Sequence, residues 1–464
     1  MKKIIVALFL ALAVIGLFLL RDEIPFFDDS SSAARDPGVR GGAASAGAPI
    51  EGLTATELAF FNAGKGEFEE EEEIAEGLGP TLNLGSCSGC HLQPAVGGTS
   101  PAMNPQVEFA TADGATNTVP SFITPRGPVR EARFVKNVDG SPDNGVHDLF
   151  TIAGRSDAPG CTLAQPDFEQ ELARRNVIFR IPTPTFGAGL IEHIPDTVIL
   201  ANQARDAPRK KELRIYGRPN IVLAGHAISG QANNNGNDGT LARFGWKAQN
   251  KSLLLFSGEA YNVEMGITNE LFQTERVETA TCQFAVVPNS VTNTTAETPV
   301  DAVSAIEKFA FFMRFLAPPT PSTDMPGGAA SIAAGRKLFT DTGCALCHTP
   351  TFNTGNAAVA ALRNQPVNLF SDLLVHDMGP GLADGVNQGQ AGPREFRTAP
   401  LWGLGQRLFF LHDGRTSDLQ EAIRSHRSGS VFTFNASEAN VVIKNFNALP
   451  DGPKQDVLNF LRSL

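Results

Sequence analysis

Two copies of a Cys-x-x-Cys-His motif carry the most recognisable chemistry of this sequence. Their residues are Cys87, Cys90 and His91 in the first copy and Cys344, Cys347 and His348 in the second. The two thiols of such a motif lie one helical turn apart and can add to the two vinyl groups of one haem, while the adjacent imidazole binds its iron. The sequence therefore predicts two covalently bound c-type haems, with His91 and His348 as iron ligands.

A zinc site built from the four motif cysteines is the main alternative, but it would leave both motif histidines unexplained. The chain has six cysteines, and Cys161 and Cys282 belong to neither motif. In an exported protein these two would meet an oxidising environment. We therefore expect them to form a disulfide.

Residues 1–27 are typical of an export segment. Lys2 and Lys3 precede an uncharged apolar run over residues 4–20. This run is longer than a signal-peptide core of about 7 to 15 residues and shorter than the roughly 20 residues that span a bilayer comfortably. A cleaved signal and a retained membrane anchor both stay open, and the charged residues directly after the run favour the anchor. Residues 28–49, rich in Ser, Ala and Gly, are predicted to be a flexible tether.

The composition indicates an ordinary globular protein, and the export segment places it outside the cytoplasm, in the periplasm, where c-type haem is attached. The chain has 464 residues, of which 42% are hydrophobic and 19% are charged, so a large core can form. The net charge of −11 and the isoelectric point near 5.3 argue against a nucleic-acid partner. A basic redox protein or a small neutral substrate fits this charge better.

The segments around the motifs are predicted to be helical. Thr54 is a candidate cap for a helix that begins in "LTATELAFF". The segment 301–316 ends a helix before a Pro-rich linker, and the segment 329–342 forms an amphipathic helix that runs into the second motif. We therefore expect a mainly α fold with two haem domains, residues 50–320 with long loop-rich insertions and residues 327–464.

An acidic run, "EFEEEEE", occupies residues 67–73. We expect it to be a solvated helix face or a hinge, and a docking surface for a cationic partner is the alternative.

The two halves of the chain also resemble each other downstream of their motifs. The segment "FRIPTPTFGAG", residues 179–189, is similar to "FRTAPLWGLG", residues 396–405. Each is followed by a Gly-bearing turn and a helix. When the Glu-Ala pairs at residues 259–260 and 421–422 are placed in register, His426 falls opposite Glu264.

This register predicts two unlike haem sites. His426 would close the sixth position of the second iron, while Glu264 would lie over an open first iron. Met265 could instead bind the first iron and close it, and His376 and Met378 are rival ligands for the second. A six-coordinate haem transfers electrons, whereas an open haem beside a carboxylate can bind peroxide and cleave its O–O bond with the help of proton transfer.

Two further side chains are candidates for roles at the haems. Trp246 lies on the turn that leads into the Glu264 helix and is either an electron relay or a core aromatic residue. Arg415 could pair with a haem propionate.

Several segments resemble the bacterial di-haem cytochrome c peroxidase superfamily, most closely its branch of di-haem oxidoreductases, sometimes called thiol oxidoreductases. They are "GLGPTLNLGSCSGCH", "RIPTPTFGAGLIEHIPD", "RFGWKA", "NVEMGITN", "LLVHDMGPGLADG" and "FRTAPLWGLGQRLFFLHDGRTSDLQEAI". The resemblance implies two cytochrome c-like domains whose haems face a shared interface. It also implies that Glu264, in its Glu-Met-Gly motif, lies over the peroxidatic haem and that Trp246 lies between the haems.

The sequence departs from this superfamily at two places. His426 stands where the superfamily has Met or Tyr, which should lower the potential of the second haem relative to a His/Met haem. Arg407 and Phe409 stand where a calcium-binding Thr-x-Pro is usual, so calcium is not expected.

The leading hypothesis is therefore an exported enzyme that reduces peroxide at the first haem. Its electrons would enter through the second haem from a small redox protein or a quinol-linked donor. The alternatives are oxidation of an organic or protein substrate, and, if Met265 closes the first iron, a di-haem electron carrier without catalysis.

Overall fold

The computed structural model describes residues 33–41, 45–79, 84–112, 114, 116, 118–143, 156–228, 231–232, 239–276, 279–429 and 436–464. Residues Arg35–Leu464 form one compact unit. The predicted signal or anchor over residues 1–27 lies outside the described residues. Within the described ranges no helix has both the length and the apolar character needed to cross a bilayer.

The fold is mainly helical, as predicted. The α-helices are α1 (Ala55–Glu69), α2 (Cys87–Cys90), α3 (Gln106–Ala112), α4 (Phe168–Ala173), α5 (Ala188–Glu192), α6 (Asp196–Ala204), α7 (Ala207–Leu213), α8 (Leu253–Met265), α9 (Pro299–Ala302), α10 (Ala305–Phe315), α11 (Gly328–Thr342), α12 (Leu419–Ser425), α13 (Asn440–Asn447) and α14 (Asp451–Ser463). Short 3-10 turns lie at Ile74–Glu76, Ala280–Cys282, Cys344–Leu346, Ala360–Leu362 and Leu404–Gln406.

The described strands are short and pair into two-stranded antiparallel sheets. They are β1 (Glu131–Phe134), β2 (Val177–Arg180), β3 (Asn220–Ile221), β4 (Ala227–Ile228), β5 (Gln231–Ala232), β6 (Leu241–Ala242), β7 (Phe352–Asn353), β8 (Pro366–Val367), β9 (Val375–Asp377) and β10 (Glu395–Arg397). The pairs are β1 with β2, β3 with β6, β4 with β5, β7 with β8, and β9 with β10.

The helices next to the motifs begin and end close to where the sequence predicts them. Thr54 caps α1 in a capping box, in which its side chain accepts from the Glu57 amide and the Glu57 side chain accepts from the Thr54 amide. Helix α10 ends before Leu316, and α11 leads directly into the second motif. These three signals are local in sequence, which explains why they could be predicted.

In the first half, α1 crosses α10 at Gly64. A side chain at Gly64 would overlap the Lys308 carbonyl oxygen and press on Phe312, so only glycine permits this approach. Phe312 is fully buried, and its ring lies 4.9 Å from that of Phe68, one turn along α1.

The second half repeats this crossing between α11 and α14. A side chain at Gly335 would overlap the Asp456 carbonyl oxygen and press on Phe460. Phe339, one turn along α11, lies 5.5 Å from the ring of Phe460. The two glycines and their phenylalanines thus form an internal repeat of structure, carried by "AGKGEF" and "AGRKLF".

The described part of the segment predicted as a flexible tether is attached to the body. Asp36 forms a buried ion pair with Arg462 of α14 at 2.6 Å, and these side chains are 8% and 2% exposed. Arg40 donates to the Thr320 carbonyl. Composition alone does not report such long-range partners. The division into haem domains at residues 50–320 and 327–464 stays a prediction, because both fall within the one compact unit.

The predicted disulfide between Cys161 and Cys282 is confirmed. It joins residues 121 positions apart, and both cysteines belong to the main hydrophobic core. None of the four motif cysteines forms a disulfide.

We predict that Gly64→Ala destabilises the protein although alanine favours helix formation. The added methyl group would force α1 and α10 apart, which costs about 1 to 3 kcal/mol. Gly66→Ala is the matched control, because it lies on the same helix with open space around its Cβ position. There the substitution should stabilise the protein by about 0.5 to 1 kcal/mol. Denaturant unfolding of both variants measures the two effects, and equal behaviour would contradict the crossing.

Candidate functional site

The first motif forms the short helix α2, and His91 follows it directly. The His91 amide donates to the Cys87 carbonyl at 3.0 Å, and Nδ1 of His91 lies 2.9 Å from the Gly98 carbonyl oxygen. A ring nitrogen that donates to a carbonyl fixes the tautomer and leaves Nε2 as the lone-pair nitrogen. Phe68 meets the imidazole edge-on at 5.8 Å. Burial lowers the pKa of His91, so the ring is neutral and able to bind a metal.

The second motif reproduces this arrangement on a 3-10 turn. Nδ1 of His348 lies 3.0 Å from the Phe370 carbonyl oxygen, and the ring of Phe339 lies 6.2 Å away. Burial, together with the neighbouring His426, lowers the pKa of His348 to about 4. Both motif histidines therefore offer a neutral Nε2, held in place by the backbone.

Each motif lines a cavity of its own. The first cavity has an atom-free volume, including its mouth, of about 1170 Å³, and the second of about 1360 Å³. The first is lined by Cys87, Cys90 and His91, and the second by Cys344, Cys347 and His348. Because the motifs lie in different cavities, their four cysteines do not form one zinc site.

The last turns of α8 line the first cavity. Tyr261, Glu264 and Met265 all face it, as residues three and four apart on a helix must. The Met265 sulfur lies 3.8 Å from Sγ of Cys87. Gly266, in the left-handed region at φ 71°, ends the helix directly after this pair.

Several charged residues of the first cavity were not identified from the sequence, among them Glu131 and Arg133. Arg133, on β1, lies 2.7 Å from Glu131 and 3.8 Å from Glu264. One carboxylate oxygen of Glu131 is buried without a hydrogen-bond partner in the structure. The sequence signal for these residues is weak, because their place in the cavity depends on the pairing of β1 with β2.

The second cavity contains a second imidazole opposite its motif. His426 caps α12, and its Nδ1 lies 2.8 Å from the Ala422 carbonyl oxygen. Burial lowers the pKa of His426. A positive charge on His426 would lower the pKa of His348 in turn. His426 and Glu264 thus lie at the C-terminal ends of equivalent helices, each in its own cavity.

His376 also lines the second cavity, but both its ring nitrogens are engaged. Nδ1 lies 2.8 Å from Glu438 and Nε2 lies 3.0 Å from Asp372. Burial alone would lower the pKa of His376, but the neighbouring Cys347 thiol and Asp372 raise this pKa well above its ordinary value. Because both ring nitrogens are already held by carboxylates, His376 is disfavoured as an iron ligand. Met378 lines the same cavity.

Aromatic rings connect the two cavities. Trp246 lines both of them, and its indole nitrogen donates to the Ile181 carbonyl at 3.0 Å. The ring of His412 lies 6.4 Å from Trp246 and stacks on Phe396 at 4.3 Å. Burial, aided by nearby cations, holds the pKa of His412 well below its ordinary value, so this ring is neutral.

Two buried arginines line the second cavity. Arg397 and Arg407 are each 6–8% exposed, and in the described residues neither forms an ion pair with a carboxylate. Burial lowers the pKa of each to about 10. Such charges are costly unless an anion compensates them, so the cavity fits a group that carries carboxylates. Arg415, the predicted propionate partner, instead binds Asp413 at 2.6 Å and does not line the cavity.

No curated protein matches this chain. Three solved structures resemble parts of it. Hydrazine synthase from Kuenenia stuttgartiensis shares 19% identity with a TM-score of 0.24, over 36% of this chain and 56% of that one. A MauG-like protein associated with microbial copper homeostasis shares 19% identity with a TM-score of 0.25, over 36% and 55%. The diheme peroxidase BthA from Burkholderia thailandensis shares 16% identity with a TM-score of 0.29, over 48% and 65%. The chain thus spans less than two thirds of each of these proteins.

The family described as "Di-haem oxidoreductase, putative peroxidase" matches residues 131–464. This range includes both cavity-lining helix ends, Trp246 and the second motif, and it is well over half of the chain. Its members are haem enzymes, and the donor sets of the two cavities, a neutral histidine in each with buried arginines nearby, fit that cofactor. The chain belongs to the di-haem oxidoreductase family.

Proposed function

We propose that this protein is an exported c-type di-haem peroxidase. It reduces peroxide at the first cavity with electrons that enter through the second. The observation that carries the proposal is the difference between the cavities. Among the described lining residues, the first cavity combines His91 with the carboxylate of Glu264, whereas the second combines His348 with the imidazole of His426.

The motif cysteines would hold each haem covalently, and the motif histidines would bind the irons through Nε2. Arg397 and Arg407 would pair with the propionates of the second haem. Arg130 is a candidate for the first, since it lines that cavity, burial lowers its pKa, and its guanidinium is held by the Asp413 and Gly414 carbonyls. The haems supply the iron to which a peroxide oxygen binds and the electrons that reduce it.

His426 would be the sixth ligand of the second iron. Its Nδ1 bond to Ala422 leaves Nε2 for the metal, as in the motif histidines. Two fixed histidines keep the coordination unchanged on reduction, which suits electron transfer. Two imidazoles also favour a lower potential than a histidine with a methionine.

Glu264 would move the proton in the first cavity. Its carboxylate takes the proton from the near oxygen of the peroxide and delivers it to the far oxygen, which then leaves as water or an alcohol. Two electrons and two protons balance the reduction of one peroxide. Arg133 would orient the carboxylate of Glu264 and donate a hydrogen bond to the departing oxygen, because it lies 3.8 Å from that carboxylate and is 10% exposed.

Met265 is the residue that could close the first iron instead. Its sulfur packs against Cys87, at the edge where the haem would be attached, and Glu264 projects about 100° further around the helix. This placement supports an open first iron. Trp246, which lines both cavities, would carry electrons between the haems.

Three features considered together support export. Covalent haem attachment takes place outside the cytoplasmic membrane, the Cys161–Cys282 disulfide suits an oxidising compartment, and the apolar run over residues 4–20 is typical of an export segment. The periplasm is the compartment that we propose, with a small redox protein or a quinol-linked enzyme as electron donor.

His426→Ala should convert the second haem from low spin to high spin, because its sixth ligand is lost. Added imidazole should restore the low-spin spectrum. His376→Gln is the control, since His376 lines the same cavity but binds Asp372 and Glu438. Optical spectra of the two ferric variants measure the spin state of the second haem in each. Two results would contradict the assignment of His426 as the ligand. One is a second haem that stays low spin in His426→Ala, and the other is a second haem that loses its low-spin spectrum in His376→Gln.

Glu264→Gln should lower kcat/KM for peroxide on the order of 10²-fold or more, because the amide cannot accept and return the proton. Both haems should keep their spectra. Met265→Leu is the neighbouring control and should leave the rate and the spectra unchanged. Unaltered turnover in Glu264→Gln would remove this carboxylate from the mechanism, and a new high-spin signal in Met265→Leu would make Met265 a ligand.

A further inference from the structure

Tyr261 occupies the first cavity without a role in the reaction proposed above. It is 4% exposed and faces the cavity from α8, one turn before Glu264. Its hydroxyl donates to the carboxylate of Glu72 at 2.5 Å. Hydrogen bonds of this length between a phenol and a carboxylate are short and charge-assisted. In the cavity proposed to hold the first haem, the buried Tyr261 therefore has a base of its own, the carboxylate of Glu72.

Glu72 connects this tyrosine to the protein surface. It belongs to the acidic run identified in the sequence, where its neighbours Glu71 and Glu73 are exposed. Its amide donates to the Gly85 carbonyl at 2.8 Å, and the Glu71 side chain accepts from Ser86 at 2.7 Å. These bonds attach the acidic run to the start of the first motif, so the Tyr261–Glu72 pair leads from the cavity to solvent.

The charges around Glu72 favour a carboxyl group that can hold a proton. Burial is the largest influence, and Glu70, Glu67 and Glu76 add to it, whereas the bond from Tyr261 opposes it; together they raise the pKa of Glu72 to about 7. Near neutral pH this group can therefore both accept and release a proton. Burial and the same carboxylate raise the pKa of Tyr261 well above its ordinary value, so the phenol gives up its proton only when it is oxidised.

We propose that Tyr261 is a redox-active residue and that Glu72 is its proton acceptor, so that an oxidising equivalent can leave the first haem toward the acidic surface. The inference rests on the proposed function, because the peroxide-oxidised first haem is the oxidant. Tyr261 would give up one electron to that haem. The phenolic proton crosses the hydrogen bond to Glu72, which leaves a neutral tyrosyl radical and a protonated carboxyl group. A one-electron reductant at the surface restores the phenol as Glu72 returns the proton.

This exit differs from the route through Trp246. Trp246 lines both cavities, whereas Tyr261 lines only the first of the two and points to the acidic run. The enzyme would thus accept electrons from two sides. One side is the second haem, and the other is a surface donor that never meets the iron.

The tyrosine content of the chain makes the proposal directly testable. The protein has two tyrosines, and the other is Tyr216, which is 63% exposed. The experiment is freeze-quench electron paramagnetic resonance of the holoenzyme after one equivalent of peroxide, with and without ring-deuterated tyrosine. We expect a tyrosyl signal that narrows on deuteration, disappears in Tyr261→Phe and persists in Tyr216→Phe. The deuterium effect in the unmutated protein does not depend on the folding of a variant.

Glu72→Gln tests the proton acceptor, since the amide can still accept the hydrogen bond but not the proton. Radical formation should slow by roughly 10²-fold. Glu73→Gln removes the same charge from the same run without touching Tyr261 and should leave the rate unchanged. An equal rate in Glu72→Gln and Glu73→Gln would overturn the role of Glu72.

The outcomes separate this inference from the proposed function. If the first haem reacts with peroxide but no tyrosyl radical forms, or if the radical survives in Tyr261→Phe, the inference is overturned and the peroxidase proposal stands. If the first haem does not react with peroxide at all, both are overturned.

Discussion

The close crossing of two helices at a glycine is the constraint on which both cavities depend. At Gly64 the backbone of α10 touches that of α1, and this contact fixes Phe68 against the imidazole of His91. Gly335 and Phe339 do the same for the second motif. A side chain at either glycine would separate the helices and move the aromatic ring that holds the histidine. The position of each motif histidine is therefore set by the packing of the helices beside the cavity, as well as by its own hydrogen bond.

The same frame supports two different chemistries because the residues at the ends of equivalent helices differ. The end of α8 presents Glu264 to the first cavity, and the end of α12 presents His426 to the second. A carboxylate beside Arg133 can move a proton, whereas a neutral imidazole can bind a metal. We propose that one haem reacts and the other transfers electrons. On a repeated scaffold, this difference depends on which residue stands at the helix end, Glu264 or His426. Trp246 lines both cavities.

The sequence predicted the features that depend on local patterns and missed those that depend on pairing. The motifs and the capped start of α1 are local, and the disulfide followed from compartment and count. Glu131 and Arg133 reach the first cavity only because β1 pairs with β2, which no spacing in the sequence reveals. Asp36 lies in a segment whose composition suggests a flexible tether, yet it pairs with Arg462 at the other end of the chain. The repeated Ala-Gly segment before Phe68 and Phe339 was a usable signal for the helix crossings.

The central claim is that one haem is open and the other is closed. The most direct test is the optical and electron paramagnetic resonance spectrum of the purified ferric protein, recorded before and after one equivalent of peroxide. The account predicts one high-spin and one low-spin haem, with peroxide changing the high-spin signal first. Two low-spin haems that are indifferent to peroxide would contradict it and would indicate an electron-transfer protein.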